Sequence, residues 1–177
     1  MKPSTACTPL ISREEVNREV IRLAAELNRD YQDKHPLLIG VLKGCFIFMA
    51  DLVRRLDFPV EIDFARLSSY GSGMETSGRV KVLYGPRTVV KGRDVIVIED
   101  IIDTGLSIAH FMKYLQQKHP SSLKLCALVE KPARHRAPVK IDYLGFTVPD
   151  KFLVGCGLDW DEKYRNLPDI CVLERHE

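Results

Sequence analysis

Val95-Ile96-Val97-Ile98-Glu99-Asp100-Ile101-Ile102-Asp103-Thr104-Gly105-Leu106-Ser107 runs four β-branched residues directly into three carboxylates and two hydroxyls. The block from Val95 to Ile98 is too short and too uniformly apolar for an amphipathic helix. Its branched side chains suit a strand covered on both faces, as in a parallel sheet. Glu99 and Asp100 follow at the carboxyl end of that strand. Asp103 to Ser107 then supplies small, turn-tolerant and hydroxylic residues before Ile108, Phe111, Met112 and Leu115, whose i, i+3, i+4, i+7 spacing predicts a helix. The order is strand, loop, helix N-terminus.

A helix N-terminus presents free N–H groups and partial positive charge. With Gly105 for close backbone approach and Thr104 and Ser107 as donors, this loop can cradle a phosphate. Helix capping alone would account for the hydroxyls. It does not account for three carboxylates within five residues, which repel one another unless donors or cations meet them. Acceptor-only groups at one strand end suit the vicinal hydroxyls of a ribose or a hydrated Mg²⁺. Diol and phosphate sites side by side describe a ribose 5-phosphate. Neither G-x-x-x-x-G-K-[ST] nor G-x-G-x-x-G occurs, so the common nucleotide loops are excluded.

The rest of the chain bounds the partner. Its 177 residues hold one domain's worth of core, with the 45% hydrophobic and 28% charged content of a globular protein. The 26 basic and 24 acidic residues are mixed along the chain, which leaves no basic footprint for extended nucleic-acid binding and favours a small partner. Met1 to Ile11 has no apolar signal region, and no apolar run approaches the roughly 20 residues that cross a bilayer; a cytoplasmic protein is expected. The five cysteines are scattered without a C-x-x-C pair, and the five histidines form no H-x-x-x-H motif. Reduced, mostly buried cysteines and no histidine metal site are expected.

Along the chain, Ser12 and Glu15 make a capping box before the apolar face of Val16, Val20, Leu23, Ala24 and Leu27. Leu37 to Leu42 reads as a buried strand ending at Lys43-Gly44, and Phe46 to Leu56 as a helix packed back on it. Val60, Ile62 and Phe64 alternate with Glu61 and Asp63 as a half-exposed strand, and Val80 to Tyr84 is a second alternating piece. Between them Ser68 to Gly78 is too rich in Gly and Ser to pack, and is expected to be mobile. Leu123 to Val129 is another buried strand, with further strands near Ile141 to Leu144, Phe152 to Val154 and Cys171 to Leu173. Alternating strands and helices predict an α/β fold with an open, mainly parallel sheet that binds ligands at its strand ends. Lys43, the Glu99 to Ser107 loop and Lys131 should therefore converge in one cleft.

The 95–107 segment resembles the signature of the type I phosphoribosyltransferases, which bind 5-phosphoribosyl 1-pyrophosphate (PRPP). Leu42-Lys43-Gly44, Ser68-Ser69-Tyr70, Leu128-Val129-Glu130-Lys131-Pro132, and the run from Asp150 through Gly155 and Leu158-Asp159 to Pro168 resemble the hypoxanthine-guanine branch of that family. The matches spread from about residue 37 to residue 173.

The resemblance implies one domain over 1–177, with a core of about 37–150, a small hood from about 1–36 and 151–177, and a lid at about 68–78. It implies transfer of phosphoribose to N9 of hypoxanthine or guanine, giving IMP or GMP and pyrophosphate in purine salvage, with Mg²⁺ as cofactor. A homodimer or homotetramer without nucleic-acid or membrane partners goes with it. By the same resemblance Glu99 and Asp100 hold the ribose hydroxyls and, with Asp159, meet Mg²⁺. Asp103 accepts the purine N7 proton, and Thr104, Gly105, Leu106 and Ser107 bind the 5-phosphate, Leu106 without a side-chain donor. Lys43, Gly44 and Arg165 sit at pyrophosphate, and the peptide before that lysine is often cis in relatives. Ser69 and Tyr70 belong to the lid that excludes water from the reacting atoms. Lys131 donates to the purine 6-oxo group, Phe152 stacks on the ring, Leu158 covers its other face, and the backbone around Leu153 and Asp159 meets the pyrimidine edge. Two other readings stay open: a regulator that keeps the PRPP fold and binds RNA, and a transferase for another base such as xanthine or adenine. The near-neutral charge and the presence of Asp103, Lys131 and Arg165 argue against the first.

Overall fold

The computed structural model describes residues 7–69 and 80–174. In chain order these form β1 (Cys7–Ile11), α1 (Arg13–Tyr31), β2 (Leu37–Leu42), α2 (Phe46–Val53), β3 (Glu61–Ser69), β4 (Val80–Tyr84), β5 (Asp94–Ile102), α3 (Leu106–Gln116), β6 (Ser122–Glu130), β7 (Tyr143–Thr147), β8 (Leu153–Val154) and β9 (Ile170–Leu173). A 3₁₀ turn spans Pro132–Arg134. Among the described residues no helix is long and apolar enough to cross a membrane.

Val95 to Ile98 are fully buried, and β5 pairs in parallel with β2 on one side and β6 on the other. The main sheet runs β4-β3-β2-β5-β6-β7, with only β4 antiparallel. Alternation along β5 divides the core. Ile96 and Ile98 pack toward α1 and α2 with Leu23, Leu27 and Phe48, while Val95 and Val97 pack toward α3 with Phe111 and Leu115. The chain lays down β2, β3 and β4 in one direction, then returns to place β5, β6 and β7 in the other. The reversal lies between β2 and β5, and crevices at such points are where open α/β sheets bind ligands. A second, three-stranded antiparallel sheet, β1-β9-β8, joins residues from both ends of the described chain.

The first helix is capped as predicted: Glu15 N–H donates to Ser12 Oγ at 3.3 Å and Ser12 N–H to the Glu15 carboxylate at 2.8 Å. Other boundaries differ for local reasons. β5 continues four residues past Ile98, because Glu99 and Ile101 keep their ladder pairing with Ala127 and Val129. α2 ends at Val53 rather than Leu56, since the N–H groups of Arg55 and Leu56 bond back three residues to Leu52 and Val53, tightening the last turn ahead of Pro59. β7 starts at Tyr143, not Ile141; the Asp142 carboxylate accepts from Leu125 N–H and pairs with Lys124, closing a turn there. β1 carries no readable alternation and exists through its pairing with β9.

Of the lid expected at 68–78, residues 70–78 and thus Tyr70 lie outside the described residues, whereas Ser68 and Ser69 complete the β3–β4 ladder opposite Lys81 and Val80. The cysteines are free and, Cys7 apart, buried. Burial pushes the thiols of Cys156 and Cys171 up to about 12 and those of Cys45 and Cys126 higher still, so they pack as small apolar groups.

Candidate active site

At the switch point β2 ends in a cis Leu42–Lys43 peptide followed by Gly44. The Gly44 Cα lies against the Asp100 carboxylate so closely that a Cβ would overlap it. Because the strand extends to Ile102, Glu99 and Asp100 leave it on opposite faces rather than as one side-by-side pair. Asp100 turns toward Gly44, and Glu99 toward the loop before α3. Burial pushes the Asp100 carboxyl up to about 6 against the pull of backbone N–H groups and Arg165. Glu99 is held well above the usual carboxylate range, first by burial and then by Asp100, and its Oε2 atom is covered with no hydrogen-bond partner among the described residues. Raised carboxyl groups bind protons more tightly folded than unfolded. Asp100's contribution is therefore fully favourable only below the ordinary carboxylate range and declines as pH rises through about 6. Donors or a cation brought by a ligand would offset that decline.

The loop between β5 and α3 turns at Gly105, whose φ of 75° is left-handed and free of penalty only for glycine. Leu106 and Ser107 form the first turn of α3, with Leu106 N–H donating to Thr104 Oγ1 at 3.4 Å. Glu99, Thr104, Gly105, Ser107 and Ile108 enclose a cavity of about 130 Å³. Arg136 N–H donates to Thr104 O at 2.8 Å, tying this loop to the segment after β6.

A larger cleft of about 670 Å³ lies alongside, lined by Asp100, Asp103, Lys131, Phe152, Leu153, Leu158 and Asp159. That volume is within the range usual for small-molecule sites. The two cavities share Ile101 and Asp103 as a common wall. Lys131 is 7% exposed, its N–H donating to Ile102 O at 2.9 Å. Burial lowers the pKa of its ammonium, while Asp103 and Asp150 oppose the shift. Leu153 and Leu158 are buried and Phe152 is 39% exposed, giving the cleft its apolar walls.

Arg134 escaped the sequence reading. It pairs with Asp103 (Nε to Oδ1, 2.7 Å) and more loosely with Asp150 (3.6 Å). The available signal was Pro132 opening a 3₁₀ turn, which folds the chain back at once and keeps Arg134 beside the end of β6.

The strap from 155 to 168 closes the far side. Gly155, Cys156 and Gly157 are three successive left-handed residues with φ of 96°, 49° and 96°. A Cβ on Gly157 would overlap the Gly44 carbonyl. Arg165 donates to Gly157 O at 2.9 Å and pairs with Asp159 at 2.8 Å and Glu162 at 3.0 Å. Lys43 also pairs with Glu162, at 2.9 Å, so the two cations expected at pyrophosphate meet one carboxylate that the sequence reading missed. Among the described residues no three His, Cys, Asp or Glu side chains are grouped to hold a metal, so Glu99, Asp100 and Asp159 form no ready-made cage. A further cavity of about 500 Å³, lined by Arg13, Asp51, Arg54 and Arg55 with Cys156, Asn166, Leu167 and Pro168 of the strap, takes no residue from the strand ends.

Residues 12–161 match the family model of the phosphoribosyl transferase domain. The chain is 48% identical over 165 residues to the hypoxanthine-guanine phosphoribosyltransferase of Bacillus subtilis, covering 93% of this chain and 92% of that protein. It is 44% identical to the bifunctional protein TilS/HprT of Listeria monocytogenes, of which it spans 26% while 93% of this chain is covered. A hypoxanthine-guanine phosphoribosyltransferase structure from Bacillus anthracis, solved with HEPES in its active site, superposes with a TM-score of 0.91 at 42% identity, covering 97% of this chain and all of that one.

Proposed function

This chain belongs to the phosphoribosyltransferase family, and from that premise we propose that it moves the 5-phosphoribosyl group of PRPP onto N9 of hypoxanthine or guanine, giving IMP or GMP and pyrophosphate. The observation that carries the reading is the shared wall. A phosphate-sized cavity and a base-sized cleft meet at Asp103, where the ribose of a nucleotide spanning both would lie.

In this reading the backbone N–H groups at the start of α3, with Thr104 and Ser107, hold the 5-phosphate, and Glu99 and Asp100 accept from the ribose hydroxyls. The bond from C1 to the pyrophosphate oxygen breaks with its electron pair on pyrophosphate, and N9 forms the new bond to C1. The N7 proton passes to Asp103. Lys131 donates to the 6-oxo acceptor, which adenine's amino group would not satisfy. Phe152 and Leu158 enclose the ring, the backbone near Leu153 and Asp159 faces its pyrimidine edge, and Lys43, Gly44 and Arg165 receive pyrophosphate once Glu162 yields its place. Ser69 and Tyr70 complete the lid in the same reading.

The covered, unsatisfied Glu99 Oε2, the buried Asp100 and the oxygen-only donor set fit Mg²⁺ held by one or two carboxylates, substrate oxygens and water rather than by a full protein cage. Asp100 would hold it, with Asp159 once freed from Arg165, while Glu99 on the other face of the strand would reach it only through water or a substrate oxygen. When bound, it supplies charge neutralisation for the departing pyrophosphate. Assembly as a homodimer or homotetramer in the cytoplasm belongs to the same proposal; exposed Ile62, Phe64, Leu83 and Tyr84 on β3 and β4 support a subunit contact.

The test is PRPP consumption with hypoxanthine, guanine, xanthine, adenine and uracil, with and without Mg²⁺. Turnover is expected with the first two bases and only with the metal; none with any 6-oxopurine overturns the reading. Lys131→Met should raise KM for hypoxanthine and guanine together by roughly 10- to 150-fold, the equivalent of about 1.5–3 kcal/mol for a charged donor to a desolvated carbonyl. A KM within twofold for both would make Lys131 a bystander.

A further inference from the structure

We infer that Arg134 is the positioning residue for the proton acceptor, holding Asp103 apart from Lys131 so that the acceptor and the donor of the base cleft stay separate; this rests on the function proposed above. Asp103 and Lys131 carry opposite charges in one partly desolvated cleft, and of the charged side chains around Lys131 it is Asp103 that acts on its ammonium most strongly. Paired with one another they would be lost to the purine together, since the carboxylate would face an ammonium instead of N7 and the ammonium would face a carboxylate instead of the 6-oxo group.

Arg134 stands between these outcomes. Its Nε lies 2.7 Å from Asp103 Oδ1, a charge contact in which that covered oxygen has no aligned hydrogen bond among the described residues, and its NH1 lies 3.6 Å from Asp150. A planar guanidinium spreads its charge toward both carboxylates, which a compact lysine ammonium does not. The backbone adds to the restraint: Arg134 N–H donates to Lys131 O at 3.0 Å, and Arg136 N–H holds Thr104 O, the residue after Asp103, at 2.8 Å. Lys131, Arg134 and Asp103 therefore sit on two loops bonded to each other. Asp103 itself lies just before left-handed Gly105 and is not a helix cap, so its own loop does not fix its side chain.

Steady-state kinetics with PRPP and hypoxanthine on Arg134→Leu and Arg134→Lys test the assignment. Arg134→Leu should lower kcat roughly tenfold and raise the hypoxanthine KM, as expected when an acceptor is displaced rather than removed, with the PRPP KM within twofold of the parent. Arg134→Lys, which keeps the charge without the planar fork, should recover less than half of the lost kcat. In an Asp103→Asn background Arg134→Leu should lower kcat by less than a further twofold, because it acts through a group no longer there. Parental kcat in Arg134→Leu, or an undiminished tenfold loss in the Asp103→Asn background, overturns the inference while leaving the reaction intact. Absence of turnover in the unaltered protein overturns the reaction, and Arg134's role with it. Arg134 is 40% exposed at its side chain, so folding should survive; if Leu disrupts it, Arg134→Gln carries the same comparison.

Discussion

Asp103→Asn is expected to bind PRPP as the parent does and to lose roughly 10²- to 10⁴-fold in kcat, the usual range for removing a general base. The substitution keeps the size of the side chain and an oxygen that can still face Arg134, so the loop should hold its shape. What disappears is the negative charge and the capacity to take a proton. In the proposed reading the PRPP contacts are made by the α3 N-terminus, Thr104, Ser107 and the β2 end; Asp103 borders the same cavity, but exchanging one carboxylate oxygen for an amide nitrogen leaves those donors in place. Titration calorimetry with PRPP and Mg²⁺ beside single-turnover kinetics with hypoxanthine separates the two effects. An unchanged kcat would mean that solvent takes the proton and that Asp103 is a wall and nothing more.

The largest stability effect should come from a residue without a side chain. Gly157→Ala places a methyl group into the Gly44 carbonyl at a φ of 96°, a region that only glycine enters readily. Neither backbone can retreat cheaply: Gly157 N–H donates to Arg165 O at 3.0 Å, and Gly44 is pressed on its other side by Asp100. Overpacking and backbone strain together should destabilise by roughly 2–6 kcal/mol. Gly92→Ala is the matched control, since Gly92 has a φ of 72° but open space where the methyl would go. It should lose only about 1–2 kcal/mol. Urea midpoints of both variants decide the matter. Equal losses would show that the strap and the β2 end are not locked together.

The sheet and its strand-end site were legible because the chemistry is local. Val95 to Ser107 carries its burial, its turn and its helix start in adjacent residues, and β-branching followed by carboxylates needs no knowledge of the rest. Lys131 was legible only by resemblance, because on its own a lysine after a strand reads as solvated, and its burial comes from Phe152, Leu153 and Leu158 arriving from elsewhere. β1 was not legible, since its partner β9 begins about 160 residues later and Pro9 and Thr8 show no strand period. Glu162 was missed for the same reason. Its neighbours in sequence are charged and exposed, and only the left-handed turns at Asp161 and Glu162 bring it over Lys43.

The short sheet β1-β9-β8 gives the molecule an order of assembly on the ribosome. β8, which brings Leu153 to the purine cleft, has β9 as its only ladder partner in that sheet, and β9 is synthesised after every other strand. The phosphate-binding turn at 103–107 and both strands that flank β5 emerge well before it. A nascent chain can therefore complete its grip on the sugar phosphate while the wall that reads the base is still unanchored. On the proposed function, recognition of the purine would be the last property this protein acquires as it is made.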